Sequence, residues 1–191
     1  MFDIMEMNMT QVNNDTMPQK HIEFLIQELV KGNTSAMEDL YEACSSSVYG
    51  YALSILHNEE DARDVLQDCF VTMYKSAHQY QAKGKPMAWI ITITKNLSLQ
   101  KINERNKQSY LEVEEVESRF VKEERQVESM TLKDALASLS EEEQQIITLH
   151  SSGLKHREIA SVMKLPLSTV LSKYNRGMKK LREKLEKEEN A

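Results

Sequence analysis

Apolar residues recur at helical spacing along most of the chain. Ile22, Leu25, Ile26 and Leu29 repeat at three and four residues, which predicts an amphipathic helix stopped near Gly32. Asn33 is a candidate cap for the next helix, whose stripe is Met37, Leu40, Tyr41, Cys44, Val48, Tyr51, Ala52 and Ile55. Asn58 can cap a third, with Asp61 three residues on as an approximate capping box and Ala62, Val65, Leu66, Cys69, Phe70 and Met73 facing inward. Residues 79–86 (QYQAKGKP) read as a loop, and Pro86 suits the first turn of a following helix. The run WIITIT at 89–94 also has the β-branched alternation of a strand. No second strand candidate exists to pair with it, and its pattern continues through Leu97 toward Ile102, so a helix is expected.

Residues 106–130 break the pattern. They are polar, glutamate-rich and without a broad apolar stripe, as an exposed linker or partly helical tether would be. Beyond them, a helix through Leu132, Ala135, Leu136 and Leu139 precedes Ser140 and Glu143, a capping box for a helix with Ile146, Ile147 and Leu149 inside and Gly153 at its end. From Lys155 a short helix buries Ile159, Ala160, Val162 and Met163, and Pro166 forbids its continuation. A longer helix begins near Leu167 or Ser168, with Val170, Leu171, Tyr174, Met178 and Leu181 inward. That is helix-turn-helix spacing. The expected fold is all-α: two small helical domains joined by a flexible linker, the C-terminal one a helix-turn-helix. The expected divisions are a tail at 1–20, a domain at 21–105, the linker at 106–130 and the second domain at 131–191.

With 5 Gly and 3 Pro in 191 residues, the composition leaves little material for turns and supports helices. No run approaches the ~18 apolar residues of a membrane span, so no membrane insertion is expected. The opening MFDIMEMNMT carries acids where a signal peptide carries bases, which points to the cytoplasm. Cys44 and Cys69 lie far apart on apolar stripes and are expected as buried core thiols. His156, at a helix start with no second ligand at i+4, suits a surface or capping role better than metal binding. No convergent acid–base, nucleophile or metal-ligand set and no Gly-rich phosphate loop is present, so neither catalysis nor a cofactor is expected.

The net charge of -6 would oppose nucleic-acid binding if it were spread evenly, but it is segregated. Residues 36–82 hold eight acids to two bases, residues 83–107 six bases to one acid, and residues 153–187 ten bases to three acids. Segregation on this scale marks separate partners for separate surfaces, phosphate being the natural partner of the basic ones. In the last helix Ser168, Thr169 and Ser172 supply short polar groups for base edges and phosphates. Lys173, Arg176, Lys179, Lys180 and Arg182 supply cations for the backbone.

The segment LKHREIASVMKLPLSTVLSKYNRGMKKLR closely resembles the C-terminal DNA-binding domain of bacterial sigma factors of the extracytoplasmic-function group. Residues 39–76 resemble that family's first stretch, in which an acidic helix of the form D-A-x-D-x-x-Q-[DE]-x-F docks on RNA polymerase, and residues 85–105 resemble its promoter-opening helix. The resemblance implies a sigma factor without a middle domain that binds bacterial core RNA polymerase, directs it to promoter DNA and helps melt the start site, under control of an anti-sigma factor. Carried over by position, Asp61, Asp64, Gln67, Asp68 and Phe70 make or support the polymerase contact. Lys85, Trp89, Lys95 and Asn96 fall in the minus-ten segment, Lys95 and Asn96 being better placed for contact than Trp89. The loop 78–86 corresponds to the one that captures a flipped base. Ser168, Thr169, Ser172, Lys173, Arg176 and Lys179 fall on the minus-thirty-five helix. Leu171 and Thr92 stand where many relatives carry a base, and Lys173 replaces a common Arg, which forgoes a bidentate grip on guanine. The rival from another class is a stand-alone helix-turn-helix regulator, which would bind duplex DNA unaided and have no use for Asp64 and Asp68.

Overall fold

The computed structural model of the protein describes residues 16–112 and 138–189, and among them every regular element is helical. Helix α1 (Thr16–Val30) begins ahead of its apolar stripe and ends before Gly32, whose φ of 91° suits a residue without Cβ. Helix α2 (Ala36–Leu56) is not capped by Asn33. Its N-cap position is Ser35, which makes no side-chain cap bond. The two short polar side chains bond each other instead, the Ser35 hydroxyl donating to Asn33 Oδ1 at 2.7 Å.

Helix α3 (Glu59–Ser76) is capped as expected, with Asp61 N donating to Asn58 Oδ1 at 2.9 Å. The reciprocal half of that box is not made, because the Asp61 carboxylate is drawn to Arg105. A single 3-10 turn (Ala77–Gln79) and the loop through Lys85 lead into α4 (Pro86–Glu112). The strand-like run therefore lies in a helix. Ile90 and Ile91 are fully buried, and the buried Thr94 and Ser98 hydroxyls donate to carbonyls one turn back. Helix α4 runs past residue 105, so the first residues of the expected linker are helical. The rest of that linker and the stripe through Leu132, Ala135 and Leu136 lie outside the described residues, as does most of the N-terminal tail.

In the C-terminal half, α5 (Glu141–Ser151) opens on the full capping box: Glu143 N donates to Ser140 Oγ and Ser140 N donates to the Glu143 carboxylate. Gly153 ends it with φ 82°. Helices α6 (His156–Met163) and α7 (Leu167–Glu189) are joined by Lys164, in the left-handed region at φ 57°, and by Leu165 and Pro166. The Leu165 amide returns to the Ala160 carbonyl, which satisfies one of the last carbonyls of α6. His156 is not a cap but a packing residue. Its ring lies 4.7 Å from those of both His150 and Tyr174.

Helix α2 packs against α1, α3, α4 and α5, while α4 also touches α6. One apolar cluster accordingly runs through both halves, from Ile26, Leu40, Cys44, Val48, Tyr51 and Ile90 to Ile146, Leu149, Leu154, Ile159 and Val170. Gly50 faces the Thr148 methyl where α2 meets α5, and buried Gly177 lets α7 come against Ile147 of α5. Cys44 and Cys69 are free and fully buried, and burial pushes their thiols up to about 12 and about 11.

Glu143 is almost fully buried and accepts from Lys180 Nζ at 2.7 Å as well as from Ser140. Burial alone would raise its carboxyl, but the Lys180 ammonium and the Ser140 backbone and hydroxyl outweigh it and hold the group below its usual value of 4.5. A carboxylate held low in the fold stabilises above the free value, and that stabilisation is lost as the pH falls through the folded value. Glu143→Ala should therefore cost about 1–2 kcal/mol at pH 7 through the lost cap and charge pair. Urea unfolding at pH 7 and at pH 3 checks this, the gap to the unaltered protein being narrower in acid.

Candidate nucleic-acid and partner interfaces

The acidic face of α3 is stitched to α4 at one end and open at the other. Asp61, its side chain 13% exposed, has Oδ2 at 2.8 Å from Arg105 Nη1, a charge contact outside hydrogen-bond alignment, and Oδ1 at 3.7 Å from Lys101. Asp64 accepts from Lys101 Nζ at 2.7 Å, and that bond, with the neighbouring carboxylates, holds the Lys101 ammonium above its usual value. Gln67 and Asp68 stand exposed on the next turn. Phe70 is buried, with its ring 4.9 Å from that of Tyr41. Of the five residues the sequence points to here, Asp64, Gln67 and Asp68 share an outward face, while Asp61 and Phe70 support it from beneath.

That face continues into apolar surface. Val71 (49% exposed) and Tyr74 (53%) follow Asp64 and Asp68 at helical spacing, and Tyr41 (48%) lies beside them on α2. Periodicity had placed Tyr41 inside. At the rim of the stripe its ring covers Phe70 with one side and meets solvent with the other. Val71 and Tyr74 fall outside the α3 stripe, and apolar residues at polar-face positions are the sequence signal that finds them.

On α4, Thr92, Asn96 and Leu99 form an outward stripe, Lys85 is exposed at the end of the preceding loop, and Trp89 is half-buried with its ring 5.2 Å from Tyr80. Lys95 points elsewhere. Its ammonium donates to the Val162 carbonyl at 2.7 Å, in the last turn of α6, so the cation sits at the negative end of that helix. Burial, and secondarily Lys164, lowers the ammonium below its usual value. The structure thus groups Lys85, Trp89 and Asn96 and takes Lys95 to the junction between the halves.

On α7 the outward stripe is Ser168, Leu171, Ser172, Asn175, Lys179 and Arg182. Leu171, expected in the core beside Val170, is 40% exposed, while Val170 is fully buried. Asn175 belongs to this face although its sequence position carried no signal. Thr169 is half-buried. Lys173 is held at 2.7 Å by Glu142, while Arg176 stays exposed at 3.9 Å from Glu143. Among the described residues no helix is long and apolar enough to cross a membrane, and no group of three or more His, Cys, Asp and Glu could hold a metal ion.

The two faces coincide with two matched family regions. Residues 40–108 match Sigma-70 region 2, and residues 129–181 match Sigma-70 region 4. The chain belongs to the sigma-70 family, in its extracytoplasmic-function group. It is similar to the ECF RNA polymerase sigma factor SigW of Bacillus subtilis, at 23% identity over 84% of this chain and 94% of that one. It is also similar to the ECF RNA polymerase sigma factor SigE of Mycolicibacterium smegmatis, at 29% identity over 82% of this chain and 65% of that one. In fold it resembles the sigma factor RpoE of Bartonella quintana, solved in complex with the anti-sigma factor NepR. The TM-score there is 0.60, with 20% identity over 78% of this chain and 96% of that chain.

Within this sigma factor, α3 with its open acidic end falls in region 2 and α7 in region 4. The stitching of α3 to α4 separates two charge reversals that look alike in sequence. Asp64→Lys sets an ammonium against Lys101 and should cost about 0.5–1 kcal/mol, whereas Asp68→Lys, on the open turn, should leave stability within about 0.5 kcal/mol. Thermal unfolding at low and at 0.5 M salt (a setting of about three times physiological) checks this, since screening should shrink the Asp64→Lys deficit.

Proposed function

We propose that this sigma factor binds core RNA polymerase through the exposed end of α3 and directs it to promoters through α4 and α7. The observation that carries the reading is the pairing of two outward faces of opposite chemistry in the two family-matched regions. One is acidic and apolar, on α3, and the other polar and basic, on α7. An acidic stripe beside exposed Val71 and Tyr74 suits a protein surface that brings cations at its rim and apolar groups at its centre. Ser168, Ser172, Asn175, Arg176 and Lys179 suit the major groove, short polar groups reading edges near the helix start and cations holding phosphates further along. Lys85, Asn96 and the loop before α4 suit the unpaired minus-ten strand, which needs cations along its backbone and polar groups at its bases.

The functional divisions follow: 21–105 carries polymerase docking and minus-ten recognition, and 131–191 carries minus-thirty-five recognition. Residues 106–130 connect them, their first part continuing α4. The protein acts by binding, with no bond-making chemistry of its own, and works in the cytoplasm. An anti-sigma factor is its regulatory partner, a reading supported by the fold it shares with an anti-sigma-bound relative.

Geometry adds a condition. Elements named minus-ten and minus-thirty-five lie roughly 25 base pairs apart, or about 85 Å along straight duplex, whereas a compact chain of this size is about 40 Å across. The packed arrangement, in which Lys95 bonds Val162 and the core runs through both halves, is therefore not the promoter-bound one. Docking on polymerase must separate the halves, and separation frees Lys95 for the strand.

The test is run-off transcription with purified protein, bacterial core RNA polymerase and sheared DNA from the same host, with start sites mapped. New reproducible starts support the reading. Absence of both transcription and a polymerase complex overturns it and favours the stand-alone regulator. Asp68→Lys should weaken the polymerase complex about tenfold or more while leaving the fold intact. Arg176→Ala or Lys179→Ala should weaken promoter binding by the holoenzyme and reduce the slope of log affinity against log salt by about 1. Competition binding across a salt series reads both.

A further inference from the structure

The loop between the 3-10 turn and α4 is fastened at two points to one carboxylate oxygen of α1. Tyr80 Oη donates to Glu23 Oε1 at 2.9 Å, and Gly84 N donates to the same oxygen at 3.0 Å. The five-residue span from Tyr80 to Gly84 is thereby drawn into a ring, closed by an acceptor more than fifty residues away in sequence. Gly84 has φ 67° with open space where a Cβ would sit, so glycine is there for its backbone and not for room. Gln81, Ala82 and Lys83 are left exposed at the tip. Two further contacts stiffen the base: the Tyr80 ring lies against Trp89, and Met87 N at the start of α4 donates to Gln19 Oε1 at 3.4 Å.

A carboxylate is suited to such a clasp because it accepts only, has several lone-pair directions, and forms charge-assisted bonds stronger than those of an amide. Glu23 also lies outside both matched regions, which span residues 40–108 and 129–181. It belongs to neither motif and to no patch of charge in the sequence.

We propose that Glu23 is a positioning residue for minus-ten recognition: by clasping Tyr80 and Gly84 it fixes the 81–83 tip in the one conformation that discriminates between bases. This rests on the promoter-directing function proposed above. A free loop of this length would pay its ordering entropy on each binding event and would order around different bases with similar ease. A clasped one presents fixed hydrogen-bonding groups and rejects a base that leaves them unpaired. Selectivity, more than total affinity, is the quantity Glu23 controls.

Two readouts test this with the full chain. The first uses the protein alone. Trp89 is the only tryptophan, so its emission reports the loop base through Tyr80. Emission should change in Glu23→Ala and Tyr80→Phe and be nearly restored in Glu23→Gln, whose amide oxygen can accept from both donors. The second is run-off transcription on a pool of fragments in which the minus-ten element of one promoter, mapped with the unaltered protein, is randomised. Glu23→Ala should flatten the preference at the most selective position about tenfold and Tyr80→Phe about threefold. Glu23→Gln should stay within about twofold of the unaltered protein, with polymerase complex formation unchanged in all three. A preference profile in Glu23→Ala and Tyr80→Phe equal to that of the unaltered protein overturns the inference. A uniform loss of transcription with the profile intact overturns it too, since that is what a merely structural role would give. If Glu23→Ala does not fold, Tyr80→Phe, which removes one hydroxyl, decides by the same profile. If the unaltered protein itself starts no transcription, the functional reading fails instead, and unchanged Trp89 emission in the variants would separately overturn the clasp.

Discussion

Helix α2 is buried on more than one side, and the arrangement of the other helices follows from what it needs covered. Leu40, Cys44, Val48, Tyr51 and Ala52 are inaccessible along one stripe, and Ala36, Ser54 and Leu56 are buried to either side of it, an arc that no single neighbour could shield. Helices α1, α3 and α4 cover part of that surface, and α5 of the C-terminal half covers more. Each exposed aliphatic or aromatic side chain would forfeit about 1.5–3 kcal/mol of burial. The helix-turn-helix half therefore closes over the same core instead of standing apart, and Lys95 is taken to the last turn of α6.

That closure has a functional consequence. The surfaces that remain open are the acidic–apolar end of α3, the outward stripe of α4 and the outward stripe of α7, while the junction hides Lys95. Under the proposed function the molecule must reach two promoter elements about 85 Å apart, so its halves hold together only until a larger surface, that of the polymerase, offers each of them a better partner. On that proposal the packed form is one of two states, whatever favours it opposes transcription, and anti-sigma control is a natural use of the equilibrium.

The charged residues divide the labour differently from what their positions along the chain suggest. Asp61, Asp64, Lys101 and Arg105 appear in sequence as members of two opposed patches, each awaiting an external partner. In the fold they satisfy one another across α3 and α4. Glu142 and Glu143 likewise hold Lys173 and Lys180. On the same two faces Asp68 of α3 and Ser172 and Asn175 of α7 stand exposed, while Lys179 lies 3.7 Å from Glu183 of its own helix.

Helical periodicity and capping chemistry by themselves located the seven helices among the described residues, because local spacing of apolar side chains and short polar caps acts through neighbours three and four positions away; the ends were less legible, α1 starting at Thr16 ahead of Ile22 and α4 running on to Glu112. The box at Ser140 and Glu143, the stop at Gly153 and the helix through the WIITIT run were all legible on that ground. The family was legible as well, through two motifs in the right order. Tertiary structure alone decided rotations and long-range pairings. Tyr41 and Leu171 are on apolar stripes and yet face solvent, since the rim of a stripe is set by where the neighbouring helix ends. Lys95 meets Val162, and Glu23 meets Tyr80 and Gly84, across separations of more than fifty residues. No periodicity encodes such contacts, because they exist only once the apolar surfaces have chosen which helices lie side by side.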